Sequence, residues 1–332
     1  MRKSPAIALA FLLCVCASAS AITIKLGSLA PLGSPWDTIL KKTAAEWLSL
    51  SGGKVDVKIY SGGVAGDEPD MVRKMRIGQL GGAAITVSGL QGIFNGVKAL
   101  SYPLFLSSEG ERDYVLSHME PFFSRKIEEK GFKVVMWAAG GWVYFFSRKP
   151  VVSTEDLKKQ KIWVGEGDPD EVQAWQTSGF PTVALSSADI MTSLQGGMID
   201  ALITSPLLAG ANQWFGITSN MCDLKLAPFW GAAVISTRQW NQIPADLQPR
   251  LIEAAQKIAN NMQSQIDDED AQAISQMCRY GLTVTHVTPQ AMTGWQDLIS
   301  KGFAQLIGKS FDTESYQMAK GYLDEYLAKH PR

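Results

Sequence analysis

The chain has 332 residues, 46% of them hydrophobic and 19% charged, and a formal net charge of −1. That length accommodates two ordinary domains, and the near-neutral balance argues against nucleic acid as a partner. Catalytic signatures are missing: there is no G-x-S-x-G elbow, no G-x-x-x-x-G-K-[ST] loop and no HExxH. His118, His286 and His330 are the only histidines and stand far apart, so neither enzyme chemistry nor a histidine metal site is expected.

At the N-terminus, Arg2 and Lys3 precede the apolar stretch AIALAFLLCVC, and Ala19-Ser20-Ala21 offers an A-x-A cleavage site. This is the pattern of a secretory signal peptide at 1–21, about half the length a membrane-spanning helix needs. Cleavage there removes two basic residues and moves the net charge from −1 to −3. Lipid tethering through Cys14 or Cys16 is the alternative, although Leu13 and Val15 stand where a lipoprotein signal has a small residue. Only Cys222 and Cys278 then remain, open to pairing after export or to burial as thiols.

ITIKLGS (22–28) reads as a strand, and PWDTILKKTAAEWLSLS (35–51) as a helix with Pro35 in its first turn. VDVKIYS (55–61) alternates as a strand. EPDMVRKMRIG (68–78) is a helix with acids first and glycine last, and AAITVS (83–88) is a third strand. The same order returns in KIWVGEG (161–167), PDEVQAWQTSG (169–179), TVALS (182–186), SADIMTSLQGG (187–197) and MIDALITS (198–205). Two β-α-β-α-β units predict two α/β lobes with a cleft between them.

Between the units lies VVMWAAGGWVYFF (134–146), without a charge and too short to span a bilayer. Its β-branched and aromatic residues favour a strand, with Gly140-Gly141 as a bend or close backbone approach. It crosses from one lobe to the other, and FWGAAVIS (229–236) is the return crossing. Residues 245–280 carry a helical apolar stripe and would reach roughly 54 Å as one helix, enough to run across both lobes. A kinked pair breaking near Asp267–Asp270 is the alternative. The expected division is lobe I from 22–140 plus 229–262, and lobe II from 141–228 plus 263–332, with the long helix shared.

GEGDPD (165–170) sits between strand and helix like a dinucleotide loop, but it lacks a third glycine and its aspartates would repel a pyrophosphate, so no cofactor is expected. DDED (267–270) reads as a solvated helix face. Tryptophan is the unusual residue. Trp47, Trp240 and Trp295 fall on helices and read as core, whereas Trp36, Trp142, Trp163, Trp214 and Trp230 fall at strand ends, loops or crossings that border the cleft.

APLGSPW (30–36), YSGGVAGDE (60–68), SYPLF (101–105), RKPVVSTEDLKKQKIWV (148–164), LQGGMIDALITSP (194–206) and WNQIPADLQ (240–248) occur in an order that resembles the DctP-type solute-binding proteins of TRAP transporters. The resemblance covers nearly the whole mature chain. It implies a two-lobed periplasmic binding protein that closes on a solute and delivers it to a membrane permease, with a TPR-repeat helper in some systems.

The departures from that pattern are informative. The family's K-I-R-V, whose arginine clamps a carboxylate, reads Lys161-Ile162-Trp163-Val164 here, and a G-x-R pattern reads Gly141-Trp142-Val143. The asparagine before a proline corresponds to Ser205, with one residue of slack, and a polar group near the end of the third strand to Val87. Compensation for the lost arginines is open to Arg148, Lys149 and Lys161. An apolar or weakly polar ligand is therefore expected, touching Trp163, Val143, Trp142, Tyr144, Ser205, Trp214, Trp36, Val87, Ser88 and Trp230. The alternative is an interaction protein whose cleft is filled by Trp163.

Overall fold

The computed structural model describes residues 21–331, so the leader expected at 1–21 lies, but for Ala21, outside the described residues. The first unit is β1 (Ile22–Ser28), α1 (Pro35–Leu50), β2 (Val55–Tyr60), α2 (Glu68–Arg76) and β3 (Gly82–Thr86). Ser34 caps α1 and Asp67 caps α2, each with a proline in the first turn where no N–H is missed. Next come α3 (Val87–Leu90), α4 (Glu109–Glu128), the long strand β4 (Phe132–Ser147) and α5 (Thr154–Leu157). The second unit is β5 (Ile162–Gly165), α6 (Pro169–Thr177), β6 (Thr182–Leu185), α7 (Ile190–Gln195) and β7 (Ala201–Thr204). It is followed by α8 (Pro206–Ala211), β8 (Asn220–Cys222), β9 (Ala227–Ser236), α9 (Thr237–Trp240), α10 (Gln248–Arg279), β10 (Thr283–Thr285), α11 (Pro289–Gly302) and α12 (Thr313–Lys329).

The strands run in the order β2-β1-β3-β9-β4-β7-β5-β6. Each unit pairs its strands in parallel, with its first strand in the middle. The antiparallel strands β9 and β4 join the two, β4 pairing β9 along most of its length and β7 at its far end. Separate apolar cores lie on the two faces of each half. One packs α2, α4 and α12 residues such as Met71, Phe123 and Leu323; another packs Ile39 of α1 and Leu251 of α10.

One helix, α10, spans both halves without a break. Leu251, Ala255, Ala259, Met262 and Ile266 join a first-half core, and Met277 joins a second-half core. The kinked alternative does not occur. The acids near its middle are a solvated face only in part: Asp268 is exposed, but Asp270 is buried and Asp267 pairs with buried Arg112 of α4. Three residues apart on one helix, they share the face turned to β4.

The glycine pair marks where α10 meets β4. The pairing of β4 with β9 slips between Ala139 and Trp142, a bulge, and Gly141 has φ +69°. A Cβ at Gly140 would run into Ile266, and one at Gly141 into the Asp270 carboxylate. Gly141 N instead donates to Asp267 Oδ1 at 2.6 Å.

α12 departs from the expected division at 263–332. It packs on α4, and Ala319 and Leu323 join the first-half core, because the turn after α11 carries the chain back across. Cys222 is buried in β8, Cys278 is exposed on α10, and both are free. No helix among the described residues is long and apolar enough to cross a membrane.

Candidate ligand-binding site

A cavity of about 490 Å³ opens between the halves, at the ends of the parallel strands. This is where open α/β sheets place ligands, and the volume suits a small molecule. From the first half come Leu29, Trp36, Thr86, Met136 and Phe229. Trp36 meets Phe229 edge to face, 5.7 Å between centroids. From the second half come Trp163, Ile190, Ile203, Thr204, Leu208 and Trp214.

Of the residues expected from the sequence, Trp163, Val143, Trp214, Trp36, Ser88 and Trp230 line the cavity, and Trp142, Tyr144, Ser205 and Val87 do not. The bulge accounts for the crossing strand. Met136 and Ala138 line the cavity ahead of it, and a regular strand would carry Trp142 and Tyr144 on that same face. The inserted residue reverses the alternation and brings Val143 in instead. Trp142 is buried on the other face, where its indole N–H donates to Glu109 Oε1 at 3.1 Å and Lys225 Nζ lies 5.0 Å from the ring centroid.

Ser205 caps α8, its hydroxyl accepting from Leu208 N at 3.3 Å, and Thr204 one residue earlier takes the place in the wall. Val87 packs against a first-half core while its neighbours Thr86 and Ser88 line the cavity. Trp230 is in the wall but mostly core: 2% exposed, it stacks on Phe123 at 5.9 Å and donates to Ser101 Oγ at 3.2 Å. Trp47, Trp240 and Trp295 are buried in cores. The aliphatic wall residues Leu29, Ile190, Ile203 and Leu208 carried no sequence signal that separates them from core.

The Trp163 indole N–H donates to Leu185 O at 3.1 Å, so what this side chain has left to offer is its apolar face. No lysine, arginine or histidine is in the wall among the described residues. Arg148 donates to Leu194 O and pairs with Asp200, and Lys161 donates to Gly197 O. The charged residues of the wall are Asp67, Glu68 and Glu166. Glu68 is buried, and burial pushes its carboxyl up to about 7 against hydrogen bonds that favour ionisation. Those bonds come from Thr86 N at 2.9 Å, Thr86 Oγ1 at 2.8 Å and Gly89 N at 2.7 Å.

Asp67 reaches across the cleft mouth. Besides capping α2, it accepts from Ser186 Oγ at 3.0 Å, Ser187 N at 3.2 Å and Ser187 Oγ at 3.1 Å. Asp168, the cap of α6, reaches the other way and pairs with buried Lys98, which also donates to Ser310.

Residues 26–309 match the family described as bacterial extracellular solute-binding protein, family 7. The chain belongs to that family. A solute-binding protein of Roseobacter denitrificans is 26% identical over 255 residues, covering 74% of this chain and 78% of the relative. One of Albidiferax ferrireducens is 26% identical over 275 residues, covering 80% and 79%. The fold is similar to that of a TRAP periplasmic solute-binding protein of Desulfovibrio salexigens with bound orotic acid, at TM-score 0.85 and 16% identity over 92% of this chain and 99% of that one. A TRAP protein of Chromohalobacter salexigens with bound D-glucuronate aligns at TM-score 0.83 and 18% identity, over 91% and 99%. This family 7 solute-binding protein has the two-lobed α/β fold of those structures.

Proposed function

We propose that this receptor captures a mostly apolar or weakly polar small molecule by closing its lobes, and delivers it to a TRAP membrane permease in the periplasm. One observation carries the reading: the cavity wall holds no cationic side chain among the described residues, and Trp163 stands where the resemblance places a carboxylate-binding arginine. An unpaired carboxylate in such a cavity would lose its hydration without gaining a counter-charge. The solutes of the structural neighbours, orotic acid and D-glucuronate among them, are acids. In this reading Trp36, Ser88, Val143, Trp163, Trp214 and Trp230 touch the ligand. The permease, and a TPR-repeat helper where the system has one, are the protein partners it implies. The filled-cleft alternative is opposed by the open volume of about 490 Å³ beside Trp163.

If ligand and wall together remove about 500 Å² of apolar area from water, the gross gain is roughly 12 kcal/mol. Lost translational freedom and lobe ordering take back several kcal/mol, leaving affinity on the order of micromolar. Calorimetry on the mature protein tests this. Apolar candidates should bind with a negative heat-capacity change, and succinate and glucuronate should not bind. Micromolar binding of succinate with no response to apolar candidates would overturn the reading.

A further inference from the structure

Two buried polar groups in the cavity wall have no partner. Thr204 ends β7 and is 6% exposed; Trp214 opens a 3-10 turn after α8 and is 9% exposed. Both residues line the cavity. The Thr204 hydroxyl and the Trp214 indole N–H enter no hydrogen bond among the described residues, and neither atom is sealed inside protein. Gln213, immediately before Trp214, holds a left-handed backbone at φ +56°, which few non-glycine residues adopt. Local strain of this kind gathers at ligand clamps.

The other buried polar side chains of the wall are committed to the protein, while Ser88, Glu166 and Asn212, also in the wall, are exposed. Trp163 donates to Leu185 O, and Ser28 Oγ accepts from Ala30 N. Glu68 already accepts three donors, and Asp67 holds Ser186 and Ser187. A cationic ligand therefore finds the buried carboxylates occupied and only the exposed Glu166 carboxylate without a partner among the described residues, and an anionic one finds no cation. Across the cleft the Trp36 indole N–H is also without a partner among the described residues. The wall's free buried groups are an indole N–H, which only donates, and a hydroxyl, which can donate as well as accept, set in apolar surface.

We propose that Thr204 and Trp214 are the specificity-determining polar contacts of this site, and that the solute is a neutral apolar molecule bearing an oxygen acceptor such as a ketone, ester or ether. The proposal rests on the apolar reading above and narrows it. Leaving a buried donor unpaired carries a desolvation cost, so a site built this way discriminates against an analogue that lacks the acceptor.

The test uses four probes of one shape: naphthalene, naphthyl methyl ketone, naphthoate and naphthylmethylammonium, titrated into the mature receptor by calorimetry. The ketone should bind about tenfold tighter than naphthalene, and the two ions more weakly than either. Thr204→Val, which removes the hydroxyl at nearly constant shape, should cut the ketone-to-naphthalene ratio severalfold. Trp214→Phe should do the same, the ratio cancelling the apolar area lost. A wild-type ratio near one, or a ratio unmoved in both variants, would overturn the proposal while leaving the apolar reading standing. Failure of all four probes to bind, or tightest binding of naphthoate, would overturn both.

Discussion

Arg112 grips Asp267 with both ends of its guanidinium, Nη1 2.9 Å and Nη2 3.0 Å from the two carboxylate oxygens. Its Nε donates to Asp113 at 2.7 Å, and its side chain is almost wholly buried. Asp267 in turn accepts from Gly141 N, so one forked arginine ties α4, α10 and the bulge of β4 together. This chain uses a bidentate arginine–carboxylate pair at the crossing between its halves, away from the cavity.

Removing one partner should therefore be costly. Arg112→Met leaves the Asp267 carboxylate without its counter-charge and should destabilise the fold by about 3 kcal/mol. Urea unfolding measures this; a loss under about 0.5 kcal/mol would mean the pair contributes little.

Stability should fall as pH rises from about 5 to 8. Burial pushes the Asp270 carboxyl up to about 7, the neighbouring Asp267 charge adding to the rise, and burial does the same at Glu68. In the unfolded chain both groups titrate near pH 4, so across this window the folded state keeps protons that the unfolded chain has released. The sign is therefore negative: stability is fullest below the unfolded pKa and is lost as pH rises through the folded one. Asp270 alone should contribute a fall on the order of 3 kcal/mol. Asp270→Asn should flatten the profile, and a wild-type stability that rises over the same window would refute the assignment.

Lobe closure should be visible in solution. Asp67 with Ser186 and Ser187, and Lys98 with Asp168, join segments of the two halves. Small-angle scattering should show a smaller radius of gyration on solute binding. Ser187→Ala should speed solute release by roughly threefold to tenfold through loss of one hydrogen bond. An unchanged radius with solute bound would contradict the hinge.

Trp163 offers an apolar face, so Trp163→Ala should weaken binding by about 1–3 kcal/mol in calorimetry. Trp163→Arg alone should not create carboxylate binding, because the surrounding wall is apolar and disfavours an unpaired charge. Tight succinate binding by that variant would show that one side chain sets the ligand class.

Much of the architecture is legible in the sequence because it rests on local periodicity. The repeated strand–helix order, the helix start at Pro35, the acid-led start at Glu68 and the apolar stripe of α10 all follow from residues close in the chain. What escapes is decided by contacts far apart in sequence. Whether Trp142 or Val143 faces the cavity depends on a one-residue bulge at Gly140 and Gly141, where Ile266 and Asp270 leave no room for a Cβ. Asp267 and Asp270 read as solvated until Arg112, 155 residues from Asp267, is brought to them. The sequence points to Ser205 for the wall, but that hydroxyl caps α8 and Thr204 takes the place instead.

Native mass spectrometry of the receptor purified from its own host, without refolding, tests the central claim most directly. The account predicts one neutral, mostly apolar molecule per chain, released on denaturation and carrying at least one oxygen acceptor. A stoichiometric dicarboxylate, uronate or other organic anion would contradict it.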